Sequence, residues 1–231
     1  MRGFVAFDLD GVLYTSEPFI GAAYSRAIAN VNARHPGTFP RVPSAREILQ
    51  HVGWPVPVIL ARLFPGIGAA AADWLGAETL DVICGHVARG DGLLFPGVAE
   101  TLARLRADGL LLAVASNGRR RYVETVLAAH GVAEHFTELT TVDPRHRPAK
   151  ADVLRAYLDR WRVPPTHVVM VGDRASDVEA AAAVHCRFVG CDYGHGYRQE
   201  IEGAGPIVAA FTDLPPVIDH LLQLSRGEPG T

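Results

Sequence analysis

The chain has 231 residues, a length that suits one large domain or a core domain with a modest insertion. Its formal net charge of -3 gives no long-range attraction for nucleic acid or an anionic membrane, and no apolar stretch is long enough to span a bilayer. Residues 1–3 run straight into the first predicted strand, so we expect no signal peptide. Three cysteines without metal-ligand spacing indicate reduced thiols and a cytoplasmic location.

The first predicted element is the unbroken apolar run Phe4–Phe7, which is typical of a strand covered on both faces in a parallel sheet. Asp8 and Asp10 follow it two residues apart, so they are predicted to project together from the carboxyl end of the strand. Ligands bind at that edge in open α/β sheets. Two like charges at the end of an apolar strand require a cation, or a proton on one carboxyl, to offset them.

Residues 16–92 show helical periodicity and no strand signal. Helices are predicted over 18–34, 44–51, 57–64 and 68–88. A capping box at Ser44 and Glu47 opens the helix over 44–51. Gly76 is a potential break in the helix over 68–88. We therefore expect a core made of residues 1–15 and 93–231 and a small all-helical cap made of residues 16–92. The two crossings, near residues 15–16 and 90–92, are predicted to act as hinges.

From residue 93 onward, predicted strands and helices alternate. Helices are expected over 98–108, 119–130, 150–161, 175–184 and 214–224. Strands are expected over 110–115, within 138–142, over 168–171, and near 187–189 and 207–209. This alternation predicts an α/β fold with a doubly wound parallel sheet.

Polar side chains follow the three most apolar strands, and a lysine opens the helix before the last of these. They are Asp8 and Asp10, Ser116 and Asn117, Asp173 and Asp177, and Lys150. Because parallel strands end at one edge of the sheet, we expect these groups to lie close together. Hard oxygen ligands without thiolates favour Mg²⁺, and a hydroxyl and an ammonium beside that metal suit a phosphoryl group.

In sequence order, these four stretches resemble the four motifs of the haloacid dehalogenase superfamily, and the helical insertion resembles that family's C1 cap. Leu94–Val98 and Met170–Arg174 are similar to the phosphoglycolate phosphatase-like branch. The resemblance implies a Rossmann-like core and an Mg²⁺-dependent phosphatase that acts through an aspartyl-phosphate intermediate. The implied substrate is a small phosphomonoester, either phosphoglycolate-like, a nucleotide or a sugar phosphate. We expect a monomer or homodimer, and the net charge and the lack of a spanning segment predict no nucleic-acid or membrane partner.

The resemblance also implies roles for the individual residues. Asp8 would be the nucleophile, and Asp10 would protonate the leaving alcohol and then activate water. The implied metal ligands are Asp8, the backbone carbonyl of Asp10, Asp173, and Asp177 as a further or water-mediated ligand. The implied phosphate ligands are Ser116, the backbone at Asn117, and Lys150. Dehalogenases of this superfamily lack an aspartate at the position of Asp10, so its presence implies phosphoryl transfer.

Several positions allow two interpretations. Arg147 could replace Lys150 as the phosphate-binding cation, although Lys150 is favoured because it can also contact Asp8. The loop with His51, Gly53 and Trp54 is either a substrate-specificity loop or a simple helix break. Arg119–Arg121 is more typical of a solvated helix start, and Tyr193–Tyr197 of a structural loop, than of site residues.

Two other functions remain as alternatives. A phosphomutase resembling β-phosphoglucomutase would use Asp8 and Asp10 in the same way, but it must hold a second phosphate in its cap. The basic residues of the predicted cap are few and form no clear pair. A non-catalytic binding protein on this fold would lack at least one catalytic residue, and none is missing here.

Overall fold

The computed structural model describes residues 3–143 and 146–224. Its centre is a six-stranded sheet in the order β5-β4-β1-β6-β7-β8, and every neighbouring pair in it is parallel. These strands are β1 (Phe4–Phe7), β4 (Leu111–Ser116), β5 (Glu138–Thr141), β6 (Val168–Gly172), β7 (Arg187–Cys191) and β8 (Ile207–Val208). The short strands β2 (Tyr14–Thr15) and β3 (Leu93–Leu94) form a separate antiparallel pair.

The helices fall into two groups along the chain. The first four are α1 (Ile20–Arg34), α2 (Ala45–Leu49), α3 (Val56–Leu63) and α4 (Ala69–Ala88). The others are α5 (Val98–Ala107), α6 (Arg120–Ala129), α7 (Lys150–Trp161), α8 (Ala175–Ala183), α9 (Arg198–Ile201) and α10 (Leu214–Leu224). The prediction of a doubly wound α/β fold is confirmed.

The sheet is covered by apolar layers on both faces. Side chains of β1 alternate between these layers, with Val5 and Phe7 in one cluster and Phe4 and Ala6 in the other. All four are at most 1% exposed, which accounts for the absence of polar residues in this strand. Burial of β1 between β4 and β6 fixes its carboxyl end, and therefore Asp8, at the middle of the sheet edge.

Residues 16–92, which we call the helical unit, enclose an apolar cluster of their own. Its members include Tyr24 and Ile28 from α1, Ile48 from α2, Leu60 from α3 and Leu75 from α4. The chain enters and leaves this unit through β2 and β3, which are joined by the pairs Tyr14 with Leu94 and Thr15 with Leu93. The helical unit is therefore attached to the sheet by a single two-stranded ribbon.

The structure departs from the sequence prediction in short elements and at one glycine. Strands β2 and β3 and helix α9 are too short to produce a periodic pattern, so they were not predicted. Helix α4 is continuous through Gly76, where a break was considered. A Cβ at Gly76 would lie 3.0 Å from a guanidinium nitrogen of Arg119, so this glycine permits a close approach instead of ending the helix.

The capping box of α2 is a local interaction that stability measurements can test. The Ser44 hydroxyl accepts a hydrogen bond from the Glu47 amide, and the Glu47 carboxylate accepts one from the Ser44 amide. We expect Ser44→Ala to lower the free energy of unfolding by about 1 kcal/mol, because the cap acceptor is lost. Ser44→Asn is the matched control and should cost little, since its side-chain oxygen can still accept the hydrogen bond from the Glu47 amide. Equal losses in urea unfolding of the two variants would contradict this role for the hydroxyl.

Candidate active site

Three aspartates and one lysine meet at the carboxyl edge of the sheet. Asp8 directly follows β1, Asp173 directly follows β6, Asp177 lies in the first turn of α8, and Lys150 is the first residue of α7. None of the four residues is more than 3% exposed. One carboxylate oxygen from each aspartate lies within 4.8 Å of the others. The structure thus brings together groups separated by up to 169 positions in the chain.

Lys150 and Asp177 organise this cluster. Lys150 Nζ lies 2.5 Å from Asp177 Oδ1 and 2.9 Å from Asp8 Oδ2. Asp177 Oδ2 accepts hydrogen bonds from the amides of Asp173 and Arg174 at 3.1 and 3.0 Å, which fixes the turn at the start of α8. Both oxygens of Asp177 are therefore engaged within the protein. Burial lowers the pKa of Lys150, but the Asp177 and Asp8 carboxylates outweigh it and hold that pKa above its usual value.

Asp173 is held by the loop that follows β7. Its Oδ2 accepts hydrogen bonds from the backbone amides of His195 and Gly196, each at 2.8 Å. The Tyr193–Tyr197 stretch therefore borders the site, whereas the sequence favoured a purely structural loop. Gly11, at φ +81°, also packs against this carboxylate, because a Cβ there would lie 2.2 Å from Asp173 Oδ2.

Two carboxylate oxygens in the cluster have no hydrogen-bond partner, although they are buried. They are Asp173 Oδ1 and Asp8 Oδ2, the latter held in an ion pair 2.9 Å from Lys150 Nζ. Burial raises the pKa of Asp8, with the Lys150 charge opposing it, and burial together with Asp177 raises the pKa of Asp173 to about 7. Asp173 Oδ1 has no partner among the described residues and Asp8 Oδ2 has only the ion pair with Lys150, so a divalent cation with oxygen ligands would satisfy both. The donor set fits Mg²⁺.

Asp10 is not one of the three clustered aspartates and directly precedes the turn at Gly11. Its Oδ1 accepts a hydrogen bond of 2.6 Å from the hydroxyl of Tyr122 on α6. Burial raises the pKa of Asp10 to about 7, and the Tyr122 hydrogen bond partly opposes that rise. Sequence reasoning did not identify Tyr122, because no local pattern links it to a residue 112 positions away.

Ser116 and Asn117 complete the edge at the end of β4. Ser116 is buried, and its Oγ accepts a hydrogen bond of 3.0 Å from the Gly118 amide. Its hydroxyl proton has no acceptor among the described residues, so the hydroxyl can donate to a ligand. The Asn117 side chain instead donates to the Gly53 carbonyl of the helical unit at 2.8 Å. Of the two cations considered for this site, Lys150 contacts Asp8, whereas the Arg147 backbone pairs with that of Asp143.

A cavity between the helical unit and the sheet opens onto Asp10. Gly53 and Trp54 line it, together with Tyr122 and Arg119. His51, the third residue predicted for substrate specificity, is not among the lining residues. Its Nδ1 is buried without a hydrogen-bond partner, and burial lowers its pKa. Arg119 is exposed and caps the start of α6, as expected, and its guanidinium also donates to the Gly76 carbonyl at 3.1 Å across the cavity wall.

Comparison with known proteins decides the family. Residues 4–185 match the model of the haloacid dehalogenase-like hydrolases. The chain belongs to the haloacid dehalogenase-like hydrolase family. The sequence prediction of this family, and of a hydrolase, is confirmed.

Relatives of this hydrolase include a phosphoglycolate phosphatase from Haemophilus influenzae, 31% identical over 87% of this chain and 91% of the relative. A solved structure described as a predicted phosphoglycolate phosphatase from Haemophilus somnus has a TM-score of 0.79 at 24% identity, covering 94% of this chain and 98% of that one. A predicted phosphatase from Clostridium acetobutylicum also gives 0.79 at 21% identity, with 96% and 98% coverage. At these identities the structures support the shared fold.

Within the described residues, the hydrolase has no helix long and apolar enough to cross a membrane.

Arg174 joins the helical unit of this hydrolase to the turn that carries Asp173. Its guanidinium donates to the carbonyls of Leu49, Gln50 and Val52 at 2.8 to 3.2 Å, and to Glu200 Oε1 at 3.1 Å. The residue is only 1% exposed, so these acceptors replace its contacts with water. Sequence reasoning did not assign it a role, although it lies inside the fourth motif.

Arg174→Met should therefore weaken the contact between the helical unit and the sheet. We expect the free energy of unfolding to fall by about 3 kcal/mol, because Glu200 and the carbonyls of α2 lose a buried partner. Arg121→Met is the matched control, since Arg121 also crosses between the two units but forms an exposed ion pair with Asp81. Urea unfolding of both variants checks the prediction. A loss no larger than that of Arg121→Met would contradict it.

Proposed function

We propose that this hydrolase is an Mg²⁺-dependent phosphatase that hydrolyses a small phosphomonoester through an aspartyl-phosphate intermediate. The observation that carries the proposal is the separation of the site into two carboxylate environments. Asp8 lies in a charged cluster with unpaired oxygens and a lysine, whereas Asp10 lies beside the cavity with a raised pKa. This arrangement suits a nucleophile on one side of a phosphoryl group and a proton donor on the other. The phosphoglycolate phosphatase relatives support the same reaction class.

Asp8, Asp173 and the backbone carbonyl of Asp10 would hold the cation. Asp177 would act from outside or through water, because its own oxygens already bind Lys150 and the turn amides. When bound, Mg²⁺ would offset the negative charge of the phosphoryl oxygens and of the carboxylates. Ser116, the amide of Asn117 and Lys150 would bind the phosphoryl oxygens as charge develops.

The reaction would proceed in two displacements. In the first, a carboxylate oxygen of Asp8 attacks phosphorus, the bond between phosphorus and the alcohol oxygen breaks, and Asp10 gives its proton to the leaving alcohol. In the second, Asp10 takes a proton from water, the water oxygen attacks phosphorus, and the bond to Asp8 breaks. Inorganic phosphate leaves, and both carboxyl groups return to their starting states.

The helical unit would act as a cap over this site. Arg174 and Asn117 hold its loop 49–53 against the catalytic edge, which limits the access of water to the phosphoryl group. The ribbon β2–β3 is the connection about which it would open. A mutase would need a second phosphate site in this unit. Within residues 3–143 and 146–224, Arg119 is the only cationic side chain that lines the cavity, and it caps α6 outside the helical unit. The helical unit therefore offers no cation for a second phosphate, which favours a phosphatase.

Asp8→Asn tests the nucleophile. We expect Mg²⁺-dependent hydrolysis of p-nitrophenyl phosphate to fall by more than roughly 10³-fold, because the amide is a poor nucleophile. Asp81→Asn, a change at an exposed aspartate of the helical unit, is the matched control and should retain activity. Retained turnover in Asp8→Asn would rule out the proposed intermediate.

Tyr122→Phe tests the role of Asp10 as a proton donor. The Tyr122 hydrogen bond favours the carboxylate, so its removal should raise the pKa of Asp10. Since Asp10 must be protonated when the alcohol leaves, the alkaline limb of kcat/KM for an alkyl phosphate should move upward by about 0.5–1 pH unit. Tyr193→Phe removes a hydroxyl bonded to the Val12 carbonyl and should leave the limb in place. An unmoved limb, or one moved to lower pH, in Tyr122→Phe would contradict the assignment.

A further inference from the structure

The cavity beside Asp10 has a wall whose chemistry narrows the substrate class. The face formed by the helical unit consists mainly of aliphatic side chains and one indole. They include Ile20, Trp54, Val56, Ile59, Leu80 and Ile83. Any alcohol attached to the phosphoryl group would extend from Asp10 toward this apolar face.

Few polar groups on this face are available to a ligand. Among its described residues, the helical unit contributes three hydroxyl side chains to the lining, those of Ser16, Tyr24 and Thr79. The Thr79 hydroxyl already donates to the Leu75 carbonyl at 2.5 Å. A polyhydroxylated alcohol would bring more hydroxyl groups than the remaining two can satisfy. Buried hydroxyl groups without partners are unfavourable, so this wall disfavours such an alcohol.

Trp54 offers a flat apolar surface whose position is fixed. The guanidinium of Arg62 lies 4.3 Å from the centre of its ring, at the distance of a cation–π contact. The indole is partly buried and packs against the apolar cluster of the helical unit. An aromatic ring or a branched aliphatic group is the kind of body that such a surface binds.

Arg119 gives the cavity one positive group. Its neighbours Arg120 and Arg121 pair with Glu124 and Asp81, whereas Arg119 forms no ion pair within the described parts of the chain. Its one hydrogen bond goes to the Gly76 carbonyl, a neutral acceptor. The guanidinium therefore retains donors for an anionic substituent of a ligand.

We propose that the alcohol part of the substrate is an aromatic or branched aliphatic group, with one anionic substituent that pairs with Arg119. Polyhydroxylated sugar phosphates are then poor substrates. This inference rests on the proposed function, because it names the substrate class of the same site.

The test compares esters that share a primary alcohol as the leaving group, so that their chemical reactivity is similar. With wild-type protein and Mg²⁺, kcat/KM for benzyl phosphate should exceed that for glucose 6-phosphate by at least about tenfold. The kcat/KM for 4-carboxybenzyl phosphate should exceed that for benzyl phosphate. Arg119→Met should abolish this difference between the two esters, whereas Arg120→Met should preserve it. Equal or reversed preference between benzyl phosphate and glucose 6-phosphate would overturn the inference.

Two tryptophans of the helical unit provide a matched pair of variants. Trp54 lines the cavity, whereas Trp74 is exposed and stacks on His35. Trp54→Ala should lower kcat/KM for benzyl phosphate by about tenfold and lower that for glucose 6-phosphate by much less. Trp74→Ala should change neither value. Equal losses on both esters in Trp54→Ala would contradict the assigned role of the indole.

The outcomes separate this inference from the proposed function. Phosphate release from every ester, with sugar phosphates as good as or better than benzyl phosphate, would overturn the inference and leave the phosphatase intact. No phosphate release from any ester, p-nitrophenyl phosphate included, would overturn both.

Discussion

The structure depends on one electrostatic constraint: three buried aspartates at the sheet edge face a single lysine. Asp8, Asp173 and Asp177 would repel one another in a medium that screens poorly, and the Lys150 charge offsets only part of that repulsion. Asp177 is satisfied by the lysine and by two amides, which leaves the excess charge on Asp8 and Asp173. A cation bound to Asp8 and Asp173 would remove the excess, and a phosphoryl group bound to that cation would lie beside Asp8.

The same turn that supplies Asp173 also supplies the contact that holds the helical unit in place. Arg174 follows Asp173 directly, and its guanidinium binds the carbonyls at the end of α2. The loop from Leu49 to Gly53 therefore lies between this arginine and Asn117. Asn117 directly follows β4, whose last residue is Ser116. Because of these contacts, the wall that would select the alcohol is positioned by residues next to those that would bind metal and phosphate. In the proposed function, closure of the helical unit would be coupled to assembly of the site, because Arg174 and Asn117 directly follow Asp173 and Ser116 in the chain.

Sequence reasoning located the strand-end groups because each follows a recognisable apolar run. The start of α7 at Lys150 and the polar ends of β1, β4 and β6 are local features, and the structure places them together as parallel strands require. Tyr122 and Arg119 could not be assigned this way, because their partners Asp10 and Gly76 lie far away in the chain and only tertiary packing joins them. Arg174 lies inside a recognised motif, yet most of its acceptors are backbone carbonyls, which carry no sequence signal, and Glu200 lies 26 positions away. Gly53 and Trp54 were candidates from the sequence, whereas the rest of the cavity lining depends on how helices pack and emerged only from the structure.

The most direct test of this account measures the free energy of unfolding with and without Mg²⁺ for the wild type and for Asp173→Asn. The wild type should gain about 2.7 kcal/mol when Mg²⁺ is present at a hundred times its dissociation constant, because the folded state alone binds the ion. Asp173→Asn should gain far less, and in Mg²⁺-free buffer it should be at least as stable as the wild type, since one buried charge is removed. An unchanged wild-type stability in Mg²⁺, or an equal gain in the variant, would contradict the claim that this cluster is a cation site.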